Sequence, residues 1–284
     1  LVINRDRVVL GLEASDFEVR DNGILQDVEL DSSEQEGGPG GDGQARVRVS
    51  GPDRAPTLDA GRERQGRKLP GNVILALDTS GSVAGEPLDH LRSAAQALLA
   101  RLEPEDSAGL VTYSHEVTLR EGLTRDVDRL GRALAVVKPR GETAVIDGSY
   151  VAMMLGETDI GRDLMIVFSD GVDTSSWLRE SQVLDAARHS DVVIYGVSVG
   201  GTVEPDFLGR LTRIAGGSLF EVESTRDLSA AFVEIFDEFR NRYLLSYSPQ
   251  GVSSEGWHRL EVKVKGGRGV ARVRAGYMGE PSPQ

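Results

Sequence analysis

Between residues 73 and 240, short apolar runs alternate with amphipathic stretches of helical period, the pattern of strands and helices layered in an α/β fold. Six strands are expected: Val73 to Leu77, Ala108 to Tyr113, Val117 to Glu121, Leu164 to Ser169, Val192 to Val199 and Ser218 to Val222. Helical spacing fills the intervals at Leu88 to Leu102, Val127 to Val137, Ala144 to Leu155, Arg179 to His189, Pro205 to Ala215 and Thr225 to Arg240. Only Ser114 to Glu116 separate the second and third strands, too few residues for a crossover helix, so that pair is expected to be antiparallel. Helices join the others, which requires parallel pairing with right-handed crossovers. Runs such as Val73-Ile74-Leu75-Ala76-Leu77 are apolar at every position, as suits strands covered on both faces. The fold class expected is α/β, with a doubly wound, mostly parallel six-stranded sheet.

Outside that block the period changes to two. Phe17 to Arg20 and Ile24 to Leu30 flank Asp21-Asn22-Gly23, a hairpin turn signal, and Arg259 to Lys265 with Val270 to Arg274 repeat the arrangement around Gly266-Gly267. Tyr243 to Ser248 is a further expected strand, and Arg46 to Val49 a short one. These segments imply a small all-β, sandwich-like module built from both ends of the chain, with the α/β domain inserted between them. Residues 1–68 would hold its first part and a linker, 69–240 the α/β domain, and 241–284 its second part. Asp31 to Gly43, rich in glycine and acid, and Asp53 to Lys68, polar with prolines, read as exposed linker.

Composition narrows the chemistry. At 284 residues, 39% hydrophobic and 27% charged, the chain has the means to build two modules with ordinary cores. A formal charge of −13 repels nucleic-acid phosphates and anionic membrane surfaces and favours cations, so no nucleic-acid partner is expected. No apolar run approaches the roughly 20 residues of a membrane-spanning helix, so no membrane insertion is expected within this sequence, and no signal peptide is visible. The chain begins at Leu1, which suggests a trimmed fragment and leaves an export signal or anchor outside it open. With no cysteine, thiolate nucleophiles, disulfides and Cys-type zinc or iron–sulfur sites are excluded. His90, His115, His189 and His258 lack metal-ligand spacing and read as solvent-facing or packed imidazoles.

The first strand of the α/β block ends in Asp78-Thr79-Ser80-Gly81-Ser82, and the fourth in Phe168-Ser169-Asp170-Gly171. In a doubly wound sheet, ligands bind beyond the carboxyl ends of strands, where the strand order reverses. For the order 3-2-1-4-5-6, the first and fourth strands are neighbours at that point. Two carboxylates and several hydroxyls would then meet in one cleft, which is costly unless a cation is present. Such an all-oxygen set suits Mg²⁺ or Mn²⁺, with Ca²⁺ a further candidate. Hydroxyls are neutral ligands, so the ion would keep positive charge to accept a carboxylate from a partner.

Asp78-x-Ser80-x-Ser82, the threonine of Gly141-Glu142-Thr143-Ala144 and the Ser169-Asp170-Gly171 turn resemble the three loops of the metal-ion-dependent adhesion site of von Willebrand factor type A domains. The resemblance covers roughly residues 70 to 240 and implies a Rossmann-like domain that binds a protein ligand through a Glu or Asp carboxylate. It also implies that Ser80, Ser82 and Thr143 ligate the ion directly or nearly so, and Asp78 and Asp170 directly or through water. The flanks are similar to a narrower group, the VWFA-related domain family first described in Acidobacteria: Gly11-Leu12, Asp16-Phe17-Glu18-Val19, Asp21-Asn22-Gly23, Gln26, Tyr243 to Tyr247 and Val273 to Tyr277 carry that likeness. It implies a secreted, periplasmic or envelope location. Val83, where many bacterial relatives have Met, and the acidic linker depart from the pattern.

Plainer readings stand beside these. Each serine or threonine alone would serve as a helix cap. Asp173 and Glu86 read as solvated surface charges in preference to shaping the cleft rim or holding a second ion, Asp147 as a surface or supporting group, the acidic run Asp31 to Glu36 as a solubilising segment in preference to a calcium chelate, and Trp177 as a packed aromatic or an exposed contact beside the cleft. One rival function is a Mg²⁺-dependent phosphatase or phosphotransferase of haloacid dehalogenase type, with Asp78 as nucleophile. Ser80, however, stands where that class keeps its acid, and a hydroxyl is a poor proton donor. Another is a scaffold with a purely structural cation. Neither GxGxxG nor GxxxxGK[ST] follows a strand, so dinucleotide and P-loop readings have no support.

Overall fold

A computed structural model describes residues 1–5, 7–30, 45–49, 71–157, 162–200 and 206–279. The chain divides into two compact units, Leu69–Phe236 and Leu1–Lys68 with Asp237–Gln284. The expected linkers at Asp31 to Gly43 and Asp53 to Lys68 lie outside the described residues.

In the α/β unit, strands β1 (Gly71–Asp78), β2 (Ser107–Tyr113), β3 (Val117–Thr124), β4 (Arg162–Ser169), β5 (Val193–Val199) and β6 (Leu219–Val222) form one sheet in the order β6-β5-β4-β1-β2-β3. Every neighbouring pair is parallel except β2 and β3, which are antiparallel. All eight residues of β1 and all eight of β4 are buried, the signature of central strands covered on both faces. The covering helices are α1 (Glu86–Leu99), α2 (Val127–Ala135), α3 (Val145–Gly156), α4 (Glu180–His189), α5 (Asp206–Ile214) and α6 (Leu228–Arg240). Helix α1 starts with Pro87 in its first turn, where the missing amide costs nothing, and buries Leu88, Leu91, Ala95 and Leu98 at three- and four-residue intervals. Helix α3 passes so close to β2 that a Cβ at Gly148 would sit 2.3 Å from the Tyr113 ring. Only glycine permits that approach.

The other unit is a set of small sheets. Phe17–Asp21 and Ile24–Gln26 form the expected hairpin, with Asn22 and Gly23 both at positive φ (47° and 83°), as a two-residue turn matched to strand twist requires. The expected strand Ile24 to Leu30 breaks after Gln26, whose buried side chain bonds both backbone groups of Gln250. Glu29–Leu30 then pairs with Tyr243–Tyr247, which Ala45–Val49 flanks on its other side.

The expected hairpin about Gly266-Gly267 does not form. Gly256–Val264 pairs through Leu260–Val264 with Phe17–Asp21 and through Gly256–Arg259 with Gly276–Gly279, while Val270–Ala271 pairs with Val2–Ile3. Under this sheet lies a buried polar knot. Asp21 accepts from His258 Nδ1 at 2.9 Å, Tyr247 OH at 3.0 Å and Tyr277 OH at 2.8 Å. Burial and the Asp21 charge push both phenols well above their ordinary pKa.

Candidate metal centre

The register between β1 and β4 aligns Leu77 with Phe168, so the chain leaves both strands side by side at their carboxyl ends. Asp78 is fully buried at the end of β1. Its Oδ1 accepts the Ser80 amide at 2.8 Å, and its Oδ2 accepts Ser169 Oγ from the end of β4 at 2.9 Å. Ser82 Oγ donates to Asp170 Oδ1 at 2.9 Å. Ser80 Oγ lies 2.9 Å from Ser82 Oγ. Because the Ser82 proton points to Asp170, Ser80 supplies the proton between the two hydroxyls.

The third loop arrives by backbone bonds. Gly81 N donates to Gly141 O at 2.9 Å, and Arg140 N to Thr79 O at 2.9 Å, which ties the stretch before Thr143 to the loop after β1. Gly141 stands at φ +70° with the His115 ring where a Cβ would be, so this crossing admits no side chain. Thr143 O in turn accepts the amides of Thr174 and Ser175, at 2.8 and 3.1 Å, beyond Asp170 in the loop after β4. The three segments carrying Asp78, Ser80, Ser82, Thr143 and Asp170 are therefore linked to one another at this end of the sheet. Side-chain bonds join four of the five residues, and backbone bonds bring in Thr143.

The electrostatics call for a positive guest. Burial first, then the Asp170 charge, raises Asp78 to about 6, against the lowering effect of the hydrogen bonds from Ser80 and Ser169. Among the described residues neither Asp78 nor Asp170 has an ion-pair partner. Below the pair, burial and the Asp78 charge hold the Tyr113 phenol well above its ordinary pKa, and its OH donates to Phe168 O. Among the described residues no three His, Asp or Glu side chains gather as a metal cluster. The donors on offer are two carboxylates and neutral hydroxyls, a set that fits a hard, oxygen-seeking divalent cation.

Among the neighbours, Asp173 differs from expectation, and Asp147 and Trp177 each take one of the two readings offered for them. Asp173 is not a solvated surface charge: it is half-buried, Oδ2 accepts Ile146 N and Ser176 Oγ, and Oδ1 accepts Ser176 N. It thus caps the start of α3 and shapes the loop after β4. Asp147 is a supporting group, receiving the amides of Trp177 and Leu178. Trp177 is exposed, not packed. Ser169 contributes a direct bond to Asp78 that its place in the Ser-Asp-Gly turn does not announce.

A family model described as von Willebrand factor type A domain matches residues 72–234. The uncharacterized protein sll0103 of Synechocystis sp. is 24% identical over 273 residues, 90% of this chain and 62% of its own length. Inter-alpha-trypsin inhibitor heavy chain H2 of Mesocricetus auratus is 24% identical over 186 residues, 60% of this chain and 20% of its own length. The chain thus spans under two thirds of both relatives. Among solved structures, a von Willebrand factor type A protein from Catenulispora acidiphila superposes with a TM-score of 0.53 at 16% identity, over 61% of this chain and 42% of that one. Proximal thread matrix protein 1 from the mussel byssus, with a zinc-occupied MIDAS motif, superposes with a TM-score of 0.54 at 18% identity, over 63% and 47%. At these identities the structural likeness speaks to fold.

Proposed function

This chain belongs to the von Willebrand factor type A family, and on that premise we propose that Asp78, Ser80, Ser82, Thr143 and Asp170 hold a divalent cation through which the domain binds a carboxylate of a partner protein. Type A domains are protein-interaction modules and generally not enzymes. The finer reading is carried by one observation: the chain of oxygens Asp170, Ser82, Ser80 that meets buried Asp78, with no cation of the described residues beside either carboxylate.

Mg²⁺ is the first candidate, with Mn²⁺ and Ca²⁺ accepted by the same oxygen chemistry. Bound there, the ion supplies a Lewis-acid seat for a Glu or Asp oxygen of the partner. The residues do the rest. Ser169 Oγ and the Ser80 amide orient the Asp78 carboxylate, Asp173 and Asp147 stiffen the loop after β4, and the two serines add ligands without adding negative charge. The zinc-occupied MIDAS motif of the mussel byssus protein supports a cation-binding role for the fold.

The site is read as non-enzymatic. Both Asp78 oxygens already accept hydrogen bonds, which blunts nucleophilic attack, and Ser80 stands where a phosphatase of the rival class needs an acid. We place the protein outside the cytoplasm, secreted or in the cell envelope, by the likeness of its flanks to the VWFA-related family first described in Acidobacteria. No helix among the described residues is long and apolar enough to cross a membrane.

Calorimetric titration with Mg²⁺ and Mn²⁺, and the Mn²⁺ resonance spectrum, test the reading. One ion per chain is expected, with binding lost in Asp78→Ala and Asp170→Ala. Retention of wild-type affinity in both variants rejects it.

A further inference from the structure

Trp177 is 93% exposed, the barest large apolar side chain among the described residues. An indole ordinarily buries most of its surface, so presenting one to water is informative. The backbone that carries it is held on both sides. Asp147 accepts the Trp177 and Leu178 amides, each at 2.9 Å, and Ser176 Oγ accepts the Asp147 amide at 3.1 Å. Asp173 in turn accepts both the amide and the hydroxyl of Ser176. The exposure is thus a property of a pinned loop. That loop begins at Asp170, and its other exposed large apolar side chain is Val172, 51% exposed.

Resting on the cation-binding reading above, we infer that Trp177 and Val172 are an apolar flank to the cation site, and that the partner is a polypeptide segment whose metal-bound Asp or Glu stands beside an aliphatic or aromatic residue. Rigid aromatic side chains give large contact area at small entropic cost, and Trp is enriched among residues that dominate binding energy. An apolar neighbour fits this loop better than a basic one. The charges of Asp147 and Asp173 are engaged by backbone amides and a hydroxyl, and the exposed Arg179, two residues past Trp177, repels a cation. The net charge of −13 draws basic partners from a distance, but the fixed contact here is apolar.

The test uses the full chain, immobilised in excess MgCl₂, and a displayed library of disulfide-closed heptapeptides with a central Asp and random flanks. Wild-type protein is expected to enrich aliphatic or aromatic residues beside the Asp. Trp177→Ala should lose that preference and bind the selected peptide about tenfold more weakly, with Mn²⁺ affinity unchanged. Trp257→Phe leaves Trp177 as the one indole of the chain, and its emission should shift to the blue when the peptide binds. Enrichment of basic flanks, the same preference in Trp177→Ala, or peptide binding without an emission shift overturns the inference and leaves the metal reading intact. Selected peptides that bind equally well in EDTA, or a library without Mg²⁺-dependent binders, reject the metal reading itself.

Discussion

Ser82 Oγ donates to Asp170 Oδ1 over 2.9 Å, joining residues 88 positions apart. The bond exists because β1 and β4 are parallel neighbours in register, so whatever follows one strand emerges beside whatever follows the other. Ser82 is exposed, Asp170 is half-buried, and neither belongs to the core. Ser82→Ala and Asp170→Asn are therefore expected to weaken Mn²⁺ binding about tenfold or more while moving metal-free stability by no more than about 0.5 kcal/mol. Calorimetric titration paired with urea unfolding in EDTA checks both halves. Variants that keep full affinity would remove these residues from the ligand set.

Asp78 makes the metal-free domain pH-sensitive. Its pKa is about 6 when folded against 3.8 for an unperturbed aspartate, so the native state holds the extra proton between those values. The sign follows: this group's contribution to stability is present in full below about pH 4 and is lost as pH rises through about 6, a difference on the order of 3 kcal/mol. A bound cation offsets the charge that the buried site cannot, so saturating Mg²⁺ should flatten the loss, and metal affinity should fall as pH drops below about 6. Urea titrations across this pH range with Mg²⁺ and with EDTA measure it; parallel profiles in the two buffers would count against the site.

Gly148→Ala places a methyl 2.3 Å from the Tyr113 ring, which cannot retreat because it is fully buried and its OH is bonded to Phe168 O. Overpacking of this kind costs typically about 1–3 kcal/mol. Because Tyr113 lies opposite Asp78 in the β1–β2 register and its OH bonds Phe168 O, one residue before Ser169, metal affinity should drop as well. Unfolding curves and Mn²⁺ titration of this variant report the two effects, and a wild-type result in both would show that α3 has room to move.

Asp21→Ala would strip the acceptor from His258, Tyr247 and Tyr277 at once, leaving three donors buried in the β-rich unit. Removing one member of a buried charged network costs about 3–5 kcal/mol. Amide hydrogen exchange should accelerate in Phe17–Asp21, Tyr243–Tyr247 and Gly256–Val264 while β1 and β4 keep their protection. Uniform acceleration across both units would show that the loss is not local.

Periodicity alone made the six strands of the α/β sheet legible, with the antiparallel edge, because a three-residue gap between Tyr113 and Val117 cannot hold a crossover and fully apolar runs can only be central strands. It failed where pairing is a contest between distant edges. Val270–Ala271 reads as the return of a hairpin, but it pairs with Val2–Ile3 from the far end of the chain, and the strand that returns along Gly256–Arg259 is Gly276–Gly279. No local pattern records which strand wins.

The candidate site divides in the same way. Asp78, Ser80, Ser82 and Asp170 were legible as candidates because oxygen-bearing residues cluster where two strands end, and Thr143 only through the resemblance to the adhesion-site loops. The supporting roles of Ser169, Asp173 and Asp147, the exposure of Trp177 and the Asp21–His258 knot were not, since a polar residue reads the same in sequence whether it faces water or a buried amide. Residue types and their local order determined the elements, the fold class and the oxygens on offer. Burial and partner were decided by the tertiary structure alone, because both depend on which groups from remote segments share a volume from which water is excluded.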